Sequence, residues 1–324
     1  EELKRLPTHP HFFVGFRINP LVDTGTPHIF QVSGNESKFG TPLSERDQIM
    51  DALINYPISH LHVHSGTAMK DLSVAIKAIQ SVVQLGVDAN QMLASQGIDR
   101  RIVGIDIGGG LRPEILGDGA DNDSGDDGGG SSSPSLSQMQ YYVDGLKKAV
   151  PALWDGTMKQ LITEFGQWSY FYTGYVYSQI EYAVQREDTR IVYCHVGADM
   201  FVRDIYTGTN RGMVFVPVGD AADRSPATTR TDIAGPLCFA GDYISKHIWM
   251  PPLYEGDEII LLHTGSNAFG LWSRHCSRTI PQVIGVDRTS ETLTVMSPRR
   301  NPYLEETSSH GILLPWKEPK KDGE

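Results

Sequence analysis

A chain of 324 residues with 40% hydrophobic and 21% charged residues is long enough for two globular domains, each around its own core. The formal net charge of -11 argues against nucleic acid and anionic membrane surfaces as partners, because both attract basic proteins. No apolar run approaches the roughly 20 residues that cross a bilayer, and the first residues, EELKRLPTHP, do not resemble a signal peptide. Three cysteines form no disulfide framework, so we expect a reducing compartment, the cytoplasm, or an organelle if a targeting segment precedes this sequence.

The first half of the chain alternates predicted strands with predicted helices. The predicted strands are 11–18, 28–32, 60–64, 101–107 and 159–165. The predicted helices are 44–56, opened by Ser44 as N-cap, about 69–85, and 141–153. Strand 101–107 is apolar enough to be buried on both faces, which is typical of a parallel sheet. The alternation therefore predicts βαβ units, although only about five strands precede residue 166 and a complete (β/α)8 barrel needs eight.

After about residue 170 the pattern changes to short strands separated by Gly, Pro and Asp turns. The predicted strands are 190–196, 213–218, 258–264, 282–286 and 292–296. Without long helices between them, they indicate an antiparallel sandwich or small barrel. We therefore predict a partial (β/α) barrel over 1–170, a β-domain over 171–316 and a polar tail over 317–324.

A segment at about 117–136 interrupts the first domain with Gly, Asp and Ser. This composition cannot bury apolar surface and predicts a disordered surface insertion. The close recurrence of Asp121, Asp123 and Asp126 also allows a calcium-binding interpretation. That alternative is weaker, because the flanking helices and bidentate glutamate of a calcium loop are absent.

The stretch HLHVHSGT places His60, His62 and His64 at alternate positions of a predicted strand, so their side chains share one face. Three interpretations remain open from these residues alone. The histidines are structural, or His62 and His64 hold a divalent metal with Asp106 or the remote His195, or an imidazole stacks on a flat ligand.

Two later strands also end in residues suited to ligand binding. Strand 101–107 runs into Gly108, Gly109 and Gly110, whose exposed backbone N–H groups can bind an anion. A glycine run is more often only a flexible turn, but this one stands where α/β folds bind ligands. Glu164 lies at the end of strand 159–165 and suits a general base, a metal ligand, a partner of a protonated ring nitrogen, or a solvated loop residue.

Six short motifs in order resemble the fold type III, pyridoxal-phosphate-dependent ornithine/diaminopimelate/arginine decarboxylases. They cover nearly the whole chain: RINP at 17–20, SKFG at 37–40, HVHSGT at 62–67, DIGGG at 106–110, EFG at 164–166 and GPLCFAGD at 235–242. Each motif alone is weak, but six in the correct order are specific. The resemblance implies the C-terminal half of an alanine-racemase-like (β/α)8 barrel followed by a β-domain, pyridoxal 5'-phosphate as cofactor, and amino-acid decarboxylation by a head-to-tail homodimer.

The resemblance also implies roles for individual residues. His64 would stack on the cofactor ring, Glu164 would pair with its nitrogen, and Cys238 would protonate the substrate carbon from the neighbouring subunit. The phosphate would bind Thr67 and the glycine run, and Asp242 with Phe239 would contact the substrate. The other implied cofactor-binding positions are Gly166, Gln167 and Asn267.

The sequence departs from the family pattern at several of these positions. Gln167 replaces an arginine that grips phosphate, Phe239 replaces an acid that binds the substrate's distal amine, and Asn267 replaces a tyrosine. The Schiff-base lysine has no counterpart, because the family carries it on an early barrel strand, before the RINP motif. We therefore expect a chain that lacks the front of the barrel and is inactive alone. The alternative is a non-catalytic homologue that binds a protein partner.

Overall fold

The computed structural model describes Arg5 and residues 12–111, 137–208, 213–224 and 228–299. The predicted insertion at about 117–136 and the predicted tail at 317–324 lie outside the described residues. The chain forms two compact units. Unit 1 comprises Glu1–Val176, Arg211–Val214 and Leu261–Asn267, and unit 2 comprises Tyr177–Asn210, Phe215–Ile260 and Ala268–Glu324. The first boundary between the units lies after Val176, whereas the predicted boundary lies after residue 170. Beyond it, the chain returns to unit 1 twice.

Unit 1 contains a parallel sheet of five strands in the order β2-β1-β3-β4-β5. The strands are β1 (Gly15–Asn19), β2 (Thr41–Pro42), β3 (His60–His62), β4 (Gly104–Asp106) and β5 (Gln160–Ile162). The helices are α1 (Arg46–Asn55), α2 (Leu72–Ser95), α3 (Gln138–Ala149) and α4 (Gly166–Tyr170). β1, β3, β4 and β5 neighbour one another in chain order, as the strands of a (β/α) barrel do. The predicted parallel sheet is thus confirmed.

Helix α2 provides much of the core of unit 1. Asp71 caps it by accepting the backbone N–H groups of Ser73 and Val74, so the helix begins at Leu72 rather than at residue 69. Its length and composition would allow it to cross a membrane, but its apolar stripe packs in the core with strand β3. Gly86 permits this packing, because a Cβ there would lie 3.1 Å from a methyl carbon of Leu61.

Two predictions in unit 1 are wrong. The predicted strand 28–32 is a 3-10 turn, His28–Phe30, within a loop that Asn19 and Ser33 organise through hydrogen bonds to backbone. In this loop, side chains form hydrogen bonds with backbone N–H and C=O groups. In a strand, the same kinds of groups would have to bond to a neighbouring strand. Ser44 does not cap α1, because the chain enters the helix directly from the 3-10 turn Leu43–Glu45.

Unit 2 is built on a mixed sheet of six strands in the order β10-β9-β7-β6-β11-β8. The strands are β6 (Val176–Arg186), β7 (Thr189–Cys194), β8 (Val214–Val218), β9 (Thr229–Ala234), β10 (Tyr243–Met250) and β11 (Glu258–Leu262). A short helix α5 (Val202–Thr207) follows β7, and a hairpin pairs β12 (Val283–Asp287) with β13 (Thr292–Ser297).

The strand prediction for this unit was incomplete. Strands β6, β9 and β10 were missed, since polar and charged residues interrupt their apolar positions. In β6 several of these residues are exposed, whereas Thr231 and Asp232 of β9 are buried. The expected antiparallel arrangement holds for β6 with β7 and for β9 with β10, whereas β7 and β9 are parallel.

Candidate functional site

The register of the parallel sheet brings three polar side chains into one row in unit 1. Arg17 of β1 stands opposite His62 of β3, and His62 stands opposite Asp106 of β4. His64 and Glu164 lie two residues beyond the ends of β3 and β5. Since the carboxyl ends of parallel strands share one edge of the sheet, four strands direct polar groups to the same place.

His62, Asp106 and Glu164 form the centre of this site. One potential ligand atom of each lies within 4.8 Å of the others, a spacing that can hold a divalent cation. Nε2 of His62 is buried without a hydrogen-bond partner and lies 3.6 Å from Oε1 of Glu164, too far for a hydrogen bond. Partial burial, followed by the nearby Asp106 carboxylate, raises the pKa of Glu164. A hydrogen bond with Asp106 adds to this rise, and the positive charge of Arg17 opposes it as the smallest of the causes.

His64 presents a neutral imidazole. The backbone N–H of Gly109 donates to its Nδ1 at 3.1 Å, which leaves the proton of the neutral ring on Nε2. Burial, and next the positive charge of Arg17, lower the pKa of His64 to about 4. The ring is thus uncharged at neutral pH and held in one orientation, as a stacking surface requires.

Arg17 is a site residue to which sequence reasoning assigned no role. Its Nη2 is buried without a hydrogen-bond partner, and its guanidinium carbon lies 4.5 Å from the ring centre of Phe39. Burial lowers the pKa of Arg17, while Glu164 and Asp106 oppose that shift. The available signal was the RINP motif itself, in which Arg17 comes first. Asp106 was considered only as a possible metal ligand.

The glycine run differs from its predicted role. The Gly108 N–H donates to Oδ1 of Asp106 at 2.8 Å, and the Gly109 N–H is already bound to His64. Within the described part of the chain, only the Gly110 amide has no acceptor among the three. The expectation that all three amides face a phosphate is therefore corrected, because two of them organise the site instead.

The same run lets three loops approach one another through their backbones. A Cβ on Gly109 would lie 2.4 Å from the carbonyl oxygen of Glu164, and one on Gly110 would lie 1.9 Å from that of Gly66. These distances are shorter than real contacts, so both positions need glycine. The run thus joins the segments after β3, β4 and β5.

The remaining predicted residues of unit 1 are less closely tied to this site. His60 is buried and bonds to Ser59 and to Gln160, at 2.8 and 2.6 Å, so it is structural. Thr67 and Gln167 are half-buried, the latter in α4. Gly166 is exposed and donates its N–H to the Glu164 carbonyl, and Asn267 is exposed with no described contact to His64.

Unit 2 carries the predicted thiol and substrate residues. Cys238 is exposed, and its Sγ lies 3.4 Å from Sγ of Cys276. Phe239 stacks on Tyr206, with ring centres 5.1 Å apart and planes at 11°. Asp242 is 3% exposed, and its two carboxylate oxygens accept backbone N–H groups of Ala198 and Leu237. Both oxygens thus organise loops, and the substrate contact expected for Asp242 stays a prediction.

Two family profiles match the chain, one for each predicted domain. Residues 1–127 match the pyridoxal binding domain of pyridoxal-dependent decarboxylases, and residues 167–265 match their C-terminal sheet domain. Together the matches cover more than half of the chain and contain Arg17, His64, Gly109 and Cys238.

Individual relatives are distant in sequence. A diaminopimelate decarboxylase from Archaeoglobus fulgidus is 25% identical over 307 residues, which are 93% of this chain and 64% of that protein. An L-glutamyl-[BtrI acyl-carrier protein] decarboxylase from Niallia circulans is 24% identical over 265 residues, 80% of this chain and 57% of its own length. The chain therefore spans less than two thirds of these curated relatives.

The fold is shared with solved structures. A Helicobacter pylori diaminopimelate decarboxylase, solved with L-lysine, superposes with a TM-score of 0.69 at 21% identity over 92% of this chain and 67% of that one. A Paramecium bursaria Chlorella virus arginine decarboxylase gives 0.61 at 17% identity, over 81% and 61%. The predicted class, part of a barrel followed by a β-domain, is confirmed.

Proposed function

We propose that this chain, which belongs to the pyridoxal-dependent decarboxylase family, supplies much of the active site of an enzyme that removes the α-carboxylate of an amino acid. The observation that carries the proposal is the convergence of Arg17, His64 and Glu164 at one edge of the parallel sheet. The first two lie in the segment that matches a pyridoxal binding domain.

The residues of unit 1 fit pyridoxal 5'-phosphate. His64 offers a neutral, fixed ring face, and the carboxylate of Glu164 is an acceptor for a protonated ring nitrogen, whose positive charge would oppose the raised pKa of this group. The Gly110 amide and the Thr67 hydroxyl are the donors available for phosphate. When bound, the cofactor supplies an electron sink for negative charge at the substrate's α-carbon.

The chain's own groups then have distinct tasks. Glu164 would keep a proton on the ring nitrogen by accepting a charge-assisted hydrogen bond from it as a carboxylate. His64 covers one ring face and excludes water from it. Cys238 carries an exposed S–H that can deliver a proton to carbon, an assignment that follows from the family motif. We propose that the thiol comes from a second copy in a homodimer.

The surroundings of Cys238 favour a substrate whose distal group is uncharged. Phe239 stands where the family places an acid, and it packs on Tyr206 and His275 rather than near a carboxylate. Asp242, the acid at the end of the same motif, is buried and engaged with backbone. We therefore propose an amino acid with an apolar or aromatic side chain in place of a terminal amine.

The exposed thiols favour a reducing compartment. Cys238 and Cys276 both face solvent, where oxidising conditions convert close thiols to other forms. We therefore propose a cytoplasmic location, which cell fractionation with an antibody against the chain would test.

The test uses the full-length protein with added pyridoxal phosphate. Carbon dioxide release from a panel of amino acids would identify activity, with phenylalanine and leucine expected to exceed lysine and ornithine. Glu164→Gln should weaken cofactor binding about 10–100-fold, because hydrogen bonds to charged groups contribute roughly 1.5–3 kcal/mol. The matched control, Glu181→Gln in the exposed part of unit 2, should bind normally. Full-length protein that binds no cofactor would refute the proposal.

A further inference from the structure

Two exposed thiols lie in contact in unit 2. Sγ of Cys238 and Sγ of Cys276 are 3.4 Å apart, although 38 positions separate these residues in the chain. The third cysteine differs from these two in its burial and in its reactivity. Cys194 is 2% exposed, and burial raises the pKa of its thiol to about 11, so it is unreactive.

The loops that carry the two thiols are anchored to the same short segment. Asp242 accepts the N–H of Ala198 and the N–H of Leu237, which fixes the loop before Cys238. On the other side, Arg278 donates to Oδ2 of Asp199 at 2.9 Å. Ser273 also donates its N–H to the Asp199 carbonyl at 2.8 Å.

Ala198 and Asp199 are neighbours in the chain, and Asp199 is 1% exposed. One buried dipeptide therefore holds both loops, and the proximity of the two sulfur atoms follows from this anchoring. Two loops without a shared anchor would not hold their sulfur atoms at a fixed short distance. A shift of roughly 1.4 Å would bring the sulfur atoms to the length of a disulfide bond.

We propose that Cys238 and Cys276 are an oxidation site, at which hydrogen peroxide produces a reversible disulfide. One thiolate attacks a peroxide oxygen, giving a sulfenic acid and, after proton uptake, water. The second thiolate attacks the sulfenic sulfur, expels hydroxide and forms the S–S bond. In total, two thiols and one hydrogen peroxide give one disulfide and two waters, so the sulfur atoms are oxidised and the peroxide is reduced.

Two consequences follow from the chemistry. The hydrogen bond between Cys238 and Cys276 favours the protonated Cys238 thiol and so raises its pKa, and the reaction should accelerate as pH rises and the thiolate fraction grows. The second consequence rests on the proposed function. A disulfide would remove the S–H of Cys238 and stop carbon protonation until a reductant restores the thiol.

The experiment treats cofactor-loaded full-length protein with hydrogen peroxide, alkylates the remaining thiols and digests it with trypsin. The expected product links the peptide TDIAGPLCFAGDYISK, residues 231–246, to HCSR, residues 275–278, less two hydrogen atoms. Dithiothreitol should release both peptides. The rate of decarboxylation should fall at least about tenfold with the time course of peptide linkage, and it should recover on reduction.

Control variants separate the possible results. Cys194→Ala should still give the linked peptide, whereas Cys276→Ser should retain activity before oxidation and give no linked peptide. Separate alkylation of residues 238 and 276 in oxidised wild-type protein would overturn the proposal. The linked peptide in a protein without decarboxylase activity would support the oxidation site while refuting the proposed function. An active decarboxylase that never forms the linked peptide would support the proposed function and refute the oxidation site.

Discussion

The backbone N–H of Gly109 donates a hydrogen bond to Nδ1 of His64 at 3.1 Å, joining the segment after β4 to the segment after β3. This bond uses the lone pair that a proton would otherwise occupy. A protonated imidazole would lose the bond and lie near the charge of Arg17, which is among the causes of the low pKa of His64. The site thus favours a neutral ring.

The first prediction concerns the pH dependence of stability. The unfolded chain takes up a proton at His64 near pH 6.5, whereas the folded chain does so only near pH 4. Acidification through this window therefore favours the unfolded chain, by up to about 3 kcal/mol at and below pH 4. His64→Gln should remove this loss in urea unfolding followed between pH 7 and pH 4. The matched variant His247→Gln, at an exposed position, should keep it.

The second prediction concerns the buried cation. Arg17→Met removes a positive charge that lowers the pKa of His64, so that pKa should rise above 4. The imidazole signal of His64, followed by NMR against pH, measures the change directly. Lys38→Met is the control, because Lys38 also lies over the Phe39 ring, at 5.0 Å, but is not among the causes of the low pKa of His64. An unchanged titration in Arg17→Met would contradict the assigned electrostatics.

The third prediction concerns the close approach of loops at the glycine run. Gly109→Ala and Gly110→Ala would each place a methyl group against a backbone carbonyl, at 2.4 and 1.9 Å. We expect each to lower the free energy of unfolding by about 2–4 kcal/mol and to weaken cofactor binding. Gly166→Ala should instead be neutral or stabilising by up to about 1 kcal/mol, since it begins α4 with nothing within 4 Å. Denaturant unfolding compares the three.

The fourth prediction contrasts two ion pairs of unit 2. Arg278→Met would leave the buried carboxylate of Asp199 without its cation, and burial already raises the pKa of that group. We expect a loss of about 3–5 kcal/mol. Arg230→Met breaks an exposed pair with Asp188 at 2.8 Å, which should cost at most about 1 kcal/mol. Thermal unfolding of both variants would measure the difference, and equal losses would contradict the anchoring role of Asp199.

Local patterns in the sequence were sufficient for part of the site. Apolar runs located β3, β4 and β5, and the residues just beyond the ends of β3 and β5 include His64 and Glu164. Parallel strands place their carboxyl ends at one edge of the sheet. The positions of these two residues in the chain were therefore enough to predict that they lie at the same edge. The same reasoning failed for 28–32, where loop hydrogen bonds replace strand pairing, and for β9, whose Asp232 faces a backbone N–H.

The sequence by itself determined the strands β3, β4 and β5 and the helices α1, α2 and α3, because burial periodicity is a local property of the chain. Only the tertiary structure decided the contacts that depend on register and on loop anchoring. Strand register put Arg17 beside His62 and Asp106, and the segment at Ala198 held the thiols of two distant loops together. The tertiary structure also buries Asp242. It directs the backbone N–H groups of Gly108 and Gly109 to side-chain acceptors. Such pairings join residues far apart in the chain, and no local pattern specifies them.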